Sequence, residues 1–151
     1  MHSRWRRKPV VERIQLIVAS AEDVVLARLR GREFARALGF APPDAILITT
    51  AIAELARNIL SYAYDGTLGL RRVEDRHRGD GCVGLAIRAQ DKGPGIADVE
   101  RALLGGYSTS GRLGVGLSGV CRIMDEVTVK SGAGRGTIVT ATKWLGAQAS
   151  R

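Results

Sequence analysis

Three short segments of the chain carry residues suited to holding and activating a phosphorylated ligand. Glu54 and Asn58 stand four residues apart in Glu54-Leu55-Ala56-Arg57-Asn58-Ile59, a spacing that puts both side chains on one helix face, a turn apart. An Asn offers a neutral oxygen suited to Mg²⁺, a hard cation that keeps several waters when it sits beside phosphate. A carboxylate one turn away can orient or deprotonate an attacking hydroxyl. Both residues interrupt an otherwise apolar helical pattern, where a buried unpaired carboxylate would be costly; an exposed polar pair is the plainer alternative.

The second segment is Asp91-Lys92-Gly93-Pro94-Gly95-Ile96. An Asp at a strand end can accept a hydrogen bond from an exocyclic amine such as that of adenine. Gly93 and Gly95 permit positive φ and a close approach of backbone to a flat ring; a plain turn would use the same residues. In the third segment, Gly111, Gly114 and Gly116 lead into Leu117. Glycines at the mouth of a helix let backbone N–H groups converge on phosphate, or form a flexible loop with a capping glycine. Arg112, inside this run, has the reach for a terminal phosphate or for solvent. No Gly-Lys-Ser/Thr follows, so this is not a Walker A loop.

The elements that must position these residues are readable from periodicity. Ile14, Leu16 and Val18 alternate with Val11, Arg13, Gln15 and Ile17 as a first strand. Ser20 predicts a helix N-cap, with Glu22 and Asp23 in the first turn and Gly39 as terminator after Leu38. Pro42, Pro43 and Asp44 open a second helix through Ile48, Ile52, Leu55 and Ile59, apolar over enough of its circumference to be largely buried. Strands are predicted over Thr67–Val73 and from Val83 to Asp91, separated by a charged loop, Glu74–Gly81. Asp98–Leu104 and Gly116–Met124 read as short helices. The stretch Gly105–Gly116, with five glycines and Tyr107-Ser108-Thr109-Ser110, reads as a mobile lid. Val127–Lys130 and Thr137–Trp144 close the chain as a hairpin through Gly132, Gly134 and Gly136. Hairpin-connected strands with helices on one face make an α/β two-layer sandwich. A Rossmann arrangement fits poorly, because β-α-β alternation and a Gly-rich first turn are both missing.

The 151 residues suit one domain, drawn as residues 10–145 between a basic tail (1–9) and a short C-terminal tail (146–151). No apolar run reaches the ~18 residues that span a bilayer, and no apolar stretch of a secretory signal follows the basic start. Cys82 and Cys121 match no metal spacing and read as reduced core thiols, so a cytoplasmic location is expected. The formal charge is +8, and Arg4, Arg6, Arg7 and Lys8 supply four of those charges in the tail. A DNA-associated ATPase would exploit that charge through salt-sensitive binding. It would also need a second domain to do work with ATP, so nucleic acid is not an expected partner.

Taken together, Glu54-x-x-x-Asn58, Asp91-x-Gly93-x-Gly95, Gly114-x-Gly116 and Gly136-Thr137 resemble the N, G1 and G2 boxes and the closing Gly-Thr of the GHKL ATPase/kinase superfamily. Within it, Glu54–Ile59, Gly106–Gly111 and Met124-Asp125-Glu126 look like the small bacterial serine kinases of the anti-sigma and stressosome-switch type. The resemblance implies the Bergerat fold, with a mixed, mostly antiparallel sheet and helices on one face. It implies ATP and Mg²⁺ as ligands. Asn58 would ligate the metal, Glu54 would be the general base, Asp91 would bind the adenine amine and Thr137 would lie near the same ring. Gly93, Gly95, Gly111, Gly114 and Gly116 would shape pocket and lid, with Arg112 beside them. The implied substrate is a serine or threonine on a STAS-domain protein. The kinase, once released, would activate a PP2C-type phosphatase. The alternative in the same family is an anti-sigma factor that sequesters a sigma factor. Lys92 and Arg112 depart from the family pattern by adding positive charge near the phosphate region.

Overall fold

The computed structural model describes residues 12–78, 81–96, 98–104 and 116–146. The basic tail, the segment 105–115 with Gly111, Arg112 and Gly114, and the last five residues lie outside the described residues. The order of elements is β1 (Arg13–Val18), α1 (Ala21–Leu38), α2 (Pro42–Ala63), β2 (Gly66–Asp75), β3 (Cys82–Asp91), α3 (Val99–Leu104), α4 (Leu117–Ile123), β4 (Glu126–Ser131) and β5 (Thr137–Trp144).

Local chemistry accounts for most boundaries. Ser20 Oγ accepts the Asp23 N–H at 3.3 Å, which caps α1. Gly39 closes it in the left-handed conformation, its N–H on the Arg36 carbonyl at 3.0 Å and the Phe40 N–H on the Ala35 carbonyl at 3.1 Å. Pro42 and Pro43 start α2 without a side-chain cap. At its other end Tyr64 has φ 69, the one positive φ outside glycine among the described residues. The strands β2 and β3 run on to Asp75 and from Cys82, so the charged loop is shorter than Glu74–Gly81. Pairing decided this: Glu74 and Asp75 stand opposite Val83 and Cys82 in the ladder.

The strands form one sheet in the order β1-β2-β3-β5-β4. All four pairings are antiparallel, so the sheet is antiparallel throughout rather than mixed. The α1–α2 excursion returns the chain beside β1 in the opposite sense, whereas α3–α4 carries it to β4 in the same sense as β3; β5 then fills the space between those two strands, so every hydrogen-bonded neighbour is antiparallel. One sheet face, carrying Ile14, Leu16, Val18, Leu68, Leu70, Leu85, Ile87, Val139 and Ala141, meets the helices in a single core. In α2, Ile48, Ile52, Leu55 and Ile59 are at most 2% exposed, each contributing about 1.5–3 kcal/mol by burial. By length and composition α2 meets the criteria for crossing a membrane, unlike the reading from apolar runs alone. Here it is the central helix of the core, packed on the sheet between α1 on one side and α4 on the other. Cys82 and Cys121 are free and only partly buried; burial pushes the Cys121 thiol above its ordinary pKa.

Candidate functional site

The register of the sheet assembles the site. Asp91, the last residue of β3, pairs with Gly66 of β2 and Thr137 of β5. Side chains alternate along a strand, so Asp91 shares the core face with Leu85, Ile87 and Ala89, and Thr137 shares it with Val139 and Ala141. Both polar groups therefore face the helical layer at the sheet end covered by the C-terminal half of α2. A cavity of about 270 Å³ lies between them, lined by Leu55, Asn58, Ile59 and Tyr62 from α2, and by Asp91, Thr137, Gly95, Ile96, Gly116 and Leu117, among others. Its walls are mostly apolar, with the Asp91 carboxylate, the Asn58 amide and the Thr137 hydroxyl as polar exceptions. That is the pattern of a site for a flat, largely apolar ring with a few directed polar contacts.

Asp91 is held by its own turn. Its Oδ1 accepts the Gly93 N–H at 2.9 Å, and Oδ2 has no hydrogen-bond partner among the described residues. A charged acceptor thus stands ready for an N–H donor in the cavity. The segment after it is pinned to the β4–β5 hairpin: Gly134 N–H donates to the Pro94 carbonyl at 2.8 Å, and Ile96 N–H donates to Ser131 Oγ at 2.7 Å. Ser131 Oγ also donates to the Gly136 carbonyl at 3.0 Å and lies 2.9 Å from Thr137 Oγ1. A serine has one proton to give. With it on Gly136, the Thr137 hydroxyl donates to Ser131 and keeps its lone pairs for the cavity.

Gly95 and Gly136 have φ +82 and +75, and a Cβ would fall 2.1 Å from the Gly132 carbonyl oxygen or 2.2 Å from that of Asp91, respectively. Gly136→Ala is expected to lower stability by about 2–4 kcal/mol, combining a left-handed backbone penalty of ~1–2 with overpacking of ~1–3. Urea unfolding checks this, and a loss below about 1 kcal/mol, within the range of an ordinary substitution, would contradict the contact. Gly93 is packed on α2 instead, its missing Cβ 2.8 Å from Ala63 Cβ.

On α2, the Glu54 carboxylate is paired. Its Oε1 accepts from Arg57 Nη1 at 2.9 Å, with the Glu54 and Arg57 side chains 18% and 41% exposed. Glu54 lies one turn back along α2 from Asn58 and does not line the cavity itself. Gly116, at the start of α4, sits over Asn58, where a Cβ would stand 3.8 Å from Oδ1. Asn58, Asp91, Gly95, Gly116 and Thr137 are thus brought together, with Gly93 behind the turn and Glu54 beside the cavity. Lys92 is exposed.

Three residues escaped the sequence reading. Tyr62 lines the cavity one turn after Asn58, a spacing that could have flagged it. Arg57 was visible only as a neighbour three residues from Glu54. Ser131 continues the inward alternation of Val127 and Val129, which the reading ended at Lys130.

Residues 17–143 match the histidine kinase-like ATPase domain. The chain belongs to the histidine kinase-like ATPase family. Membership of this family implies ATP as the nucleotide bound. The family member is 52% identical over 123 residues to the serine/threonine-protein kinase RsbT of Bacillus subtilis (strain 168), covering 82% of this chain and 90% of that protein. It is 31% identical over 102 residues to the anti-sigma F factor of Thermoanaerobacter sp. (strain X514), covering 66% and 69%. The crystal structure of the SiaB-SiaC complex from Pseudomonas aeruginosa aligns with TM-score 0.53 at 12% identity, over 89% of this chain and 90% of that one; this likeness concerns the fold alone.

Proposed function

We propose that this family member is a cytoplasmic Mg-ATP-dependent protein serine/threonine kinase acting on STAS-domain partners. The observation that carries the reading is the convergence of Asp91, Asn58 and Thr137 on one apolar cavity, with Glu54 one turn from Asn58. The 52% identity to a protein named as a serine/threonine kinase supports it. In this reading Asp91 Oδ2 accepts the adenine amine, the apolar walls hold the ring, and Thr137 lies at its edge. Asn58 Oδ1 would hold Mg²⁺, which when bound neutralises charge on the phosphate oxygens. No group of three His, Cys, Asp or Glu that could hold a metal is found among the described residues, so the other ligands would be phosphate oxygens and water. Glu54 takes the proton of the acceptor hydroxyl as its oxygen attacks the γ-phosphorus, and the bond from that phosphorus to the bridging oxygen of ADP breaks. Gly111, Gly114 and Gly116 would shape the lid, with Arg112 reaching the γ-phosphate.

Asn58→Ala is expected to weaken Mg-ATP binding about tenfold or more, as loss of a hydrogen-bonding or metal-holding group does. Metal-free ATP binding should change less. Calorimetry with and without Mg²⁺ decides it, and unchanged Mg-ATP affinity would refute the metal role.

The kinase reading is tested by mass-spectrometric phosphosite mapping on a STAS-domain protein encoded beside this chain, after incubation with Mg-ATP. Phosphoserine or phosphothreonine on the partner is expected; ATP turnover with an unmodified partner would overturn it. Once the partner is phosphorylated, the released kinase would bind and activate a PP2C-type phosphatase. The anti-sigma F relatives favour a second reading, sequestration of a sigma factor. Capture of a sigma factor by this chain in the presence of nucleotide would support that one.

A further inference from the structure

We propose that the sheet face turned away from the helices is a second docking surface, one that takes an acidic polypeptide segment of a partner protein. This face holds a groove of about 420 Å³ that crosses all five strands. Arg13, Arg71, Arg88 and Lys130 line it, and all four are exposed. None of the four has an ion-pair partner among the described residues. The acids nearest on this face, Asp75 and Glu126, are already held by Arg78.

Two features of the face are unfavourable for folding alone. Arg13 and Arg71 stand directly opposite each other in the β1–β2 ladder, where like charges destabilise. Gly69 lies mid-strand at the groove floor, where glycine weakens a strand. A Cβ there would meet nothing nearer than the Ile14 carbonyl oxygen at 3.8 Å, so packing does not demand glycine. Its effect is a trough beneath the cations. From Arg71 to Lys130 the face runs three strand spacings of ~4.8 Å and four residues of ~3.4 Å, a diagonal of roughly 20 Å.

The chemistry selects the occupant. A second copy would set this basic face against itself. A nucleic-acid single strand would want aromatic platforms for its bases, yet among the described residues the aromatic on this face, Trp144, is 7% exposed and covered by the Arg78 guanidinium 4.9 Å from its ring. Carboxylates spaced along a polypeptide fit the four cations, and apolar side chains between them would cover Ile138 and Ile17, the latter 72% exposed. The surface lies on the side of the sheet opposite the nucleotide cavity, so a partner can be held while that cavity is occupied. The proposal does not rest on the kinase reading.

The test is fluorescence anisotropy with a labelled peptide of repeated Glu-Glu-Leu-Glu and with labelled oligothymidylate of equal charge. Wild type, Arg71→Glu/Arg88→Glu and a control of equal net charge on α1, Arg28→Glu/Arg32→Glu, are compared. The sheet variant is expected to lose peptide affinity by about tenfold or more, the control by much less. ATP affinity of both should stay within about twofold of wild type, since distant sites act independently. No peptide binding by wild type, equal loss in both variants, or oligothymidylate bound more tightly than peptide through the same arginines would each overturn the proposal.

Discussion

Glu54→Ala is expected to lower the single-turnover rate of phosphoryl transfer by about 10²–10⁴, the usual worth of a general base, while ATP affinity changes little. The separation follows from position. Glu54 lies outside the lining of the cavity and one turn from Asn58, so in the proposed role it would meet the acceptor hydroxyl rather than the nucleotide. An interaction made only in the transition state appears in kcat and not in binding. The structural cost should be small, because the pair with Arg57 is partly solvated and such pairs contribute about 0–1 kcal/mol. Quench-flow phosphorylation with nucleotide titrations on the same samples checks both halves. Near-normal turnover, or loss of ATP binding in step with activity, would contradict the role.

Asp91→Asn is expected to weaken ATP binding by about 10–100-fold, the loss of a charge-assisted hydrogen bond of ~1.5–3 kcal/mol. It should also narrow or reverse the preference for ATP over GTP. The Gly93 N–H needs an acceptor, now Oδ1 at 2.9 Å, so the new side chain would leave its carbonyl there and turn its amide nitrogen to the cavity. That group repels the adenine amine and can donate to the carbonyl that guanine carries at the same ring position. The turn is preserved, so unfolding midpoints should move little. Competition of ATP and GTP for a fluorescent nucleotide measures the ratio, and an unchanged ratio would remove Asp91 from base recognition.

How far the sequence reaches differs between residues. Asp91 was legible because Val83, Leu85, Ile87 and Ala89 alternate up to it, and alternation is what places it on the core face. The helix ends were legible from Ser20, Gly39 and the Pro42-Pro43 pair, whose local chemistry the structure repeats. What was not legible depends on pairing across the chain. The extension of β2 to Asp75, the all-antiparallel order and the role of Ser131 follow from register with distant strands. Glu54 looked like a costly lone carboxylate until the rotamer of Arg57 supplied its partner. The basic sheet face was equally hidden, since Arg13, Arg71, Arg88 and Lys130 are spread over four strands that only the fold brings together.

The adenine of ATP is expected in the cavity under α2, against Asp91 and Thr137. Photolabelling with 8-azido-ATP followed by peptide mapping tests it most directly. The label is expected on the peptides carrying Leu55–Tyr62 or Ala89–Ile96, to be displaced by ATP, and to be lost with Asp91→Asn. Label on the basic sheet face around Arg71 and Arg88, or labelling that ATP does not displace, would contradict the account.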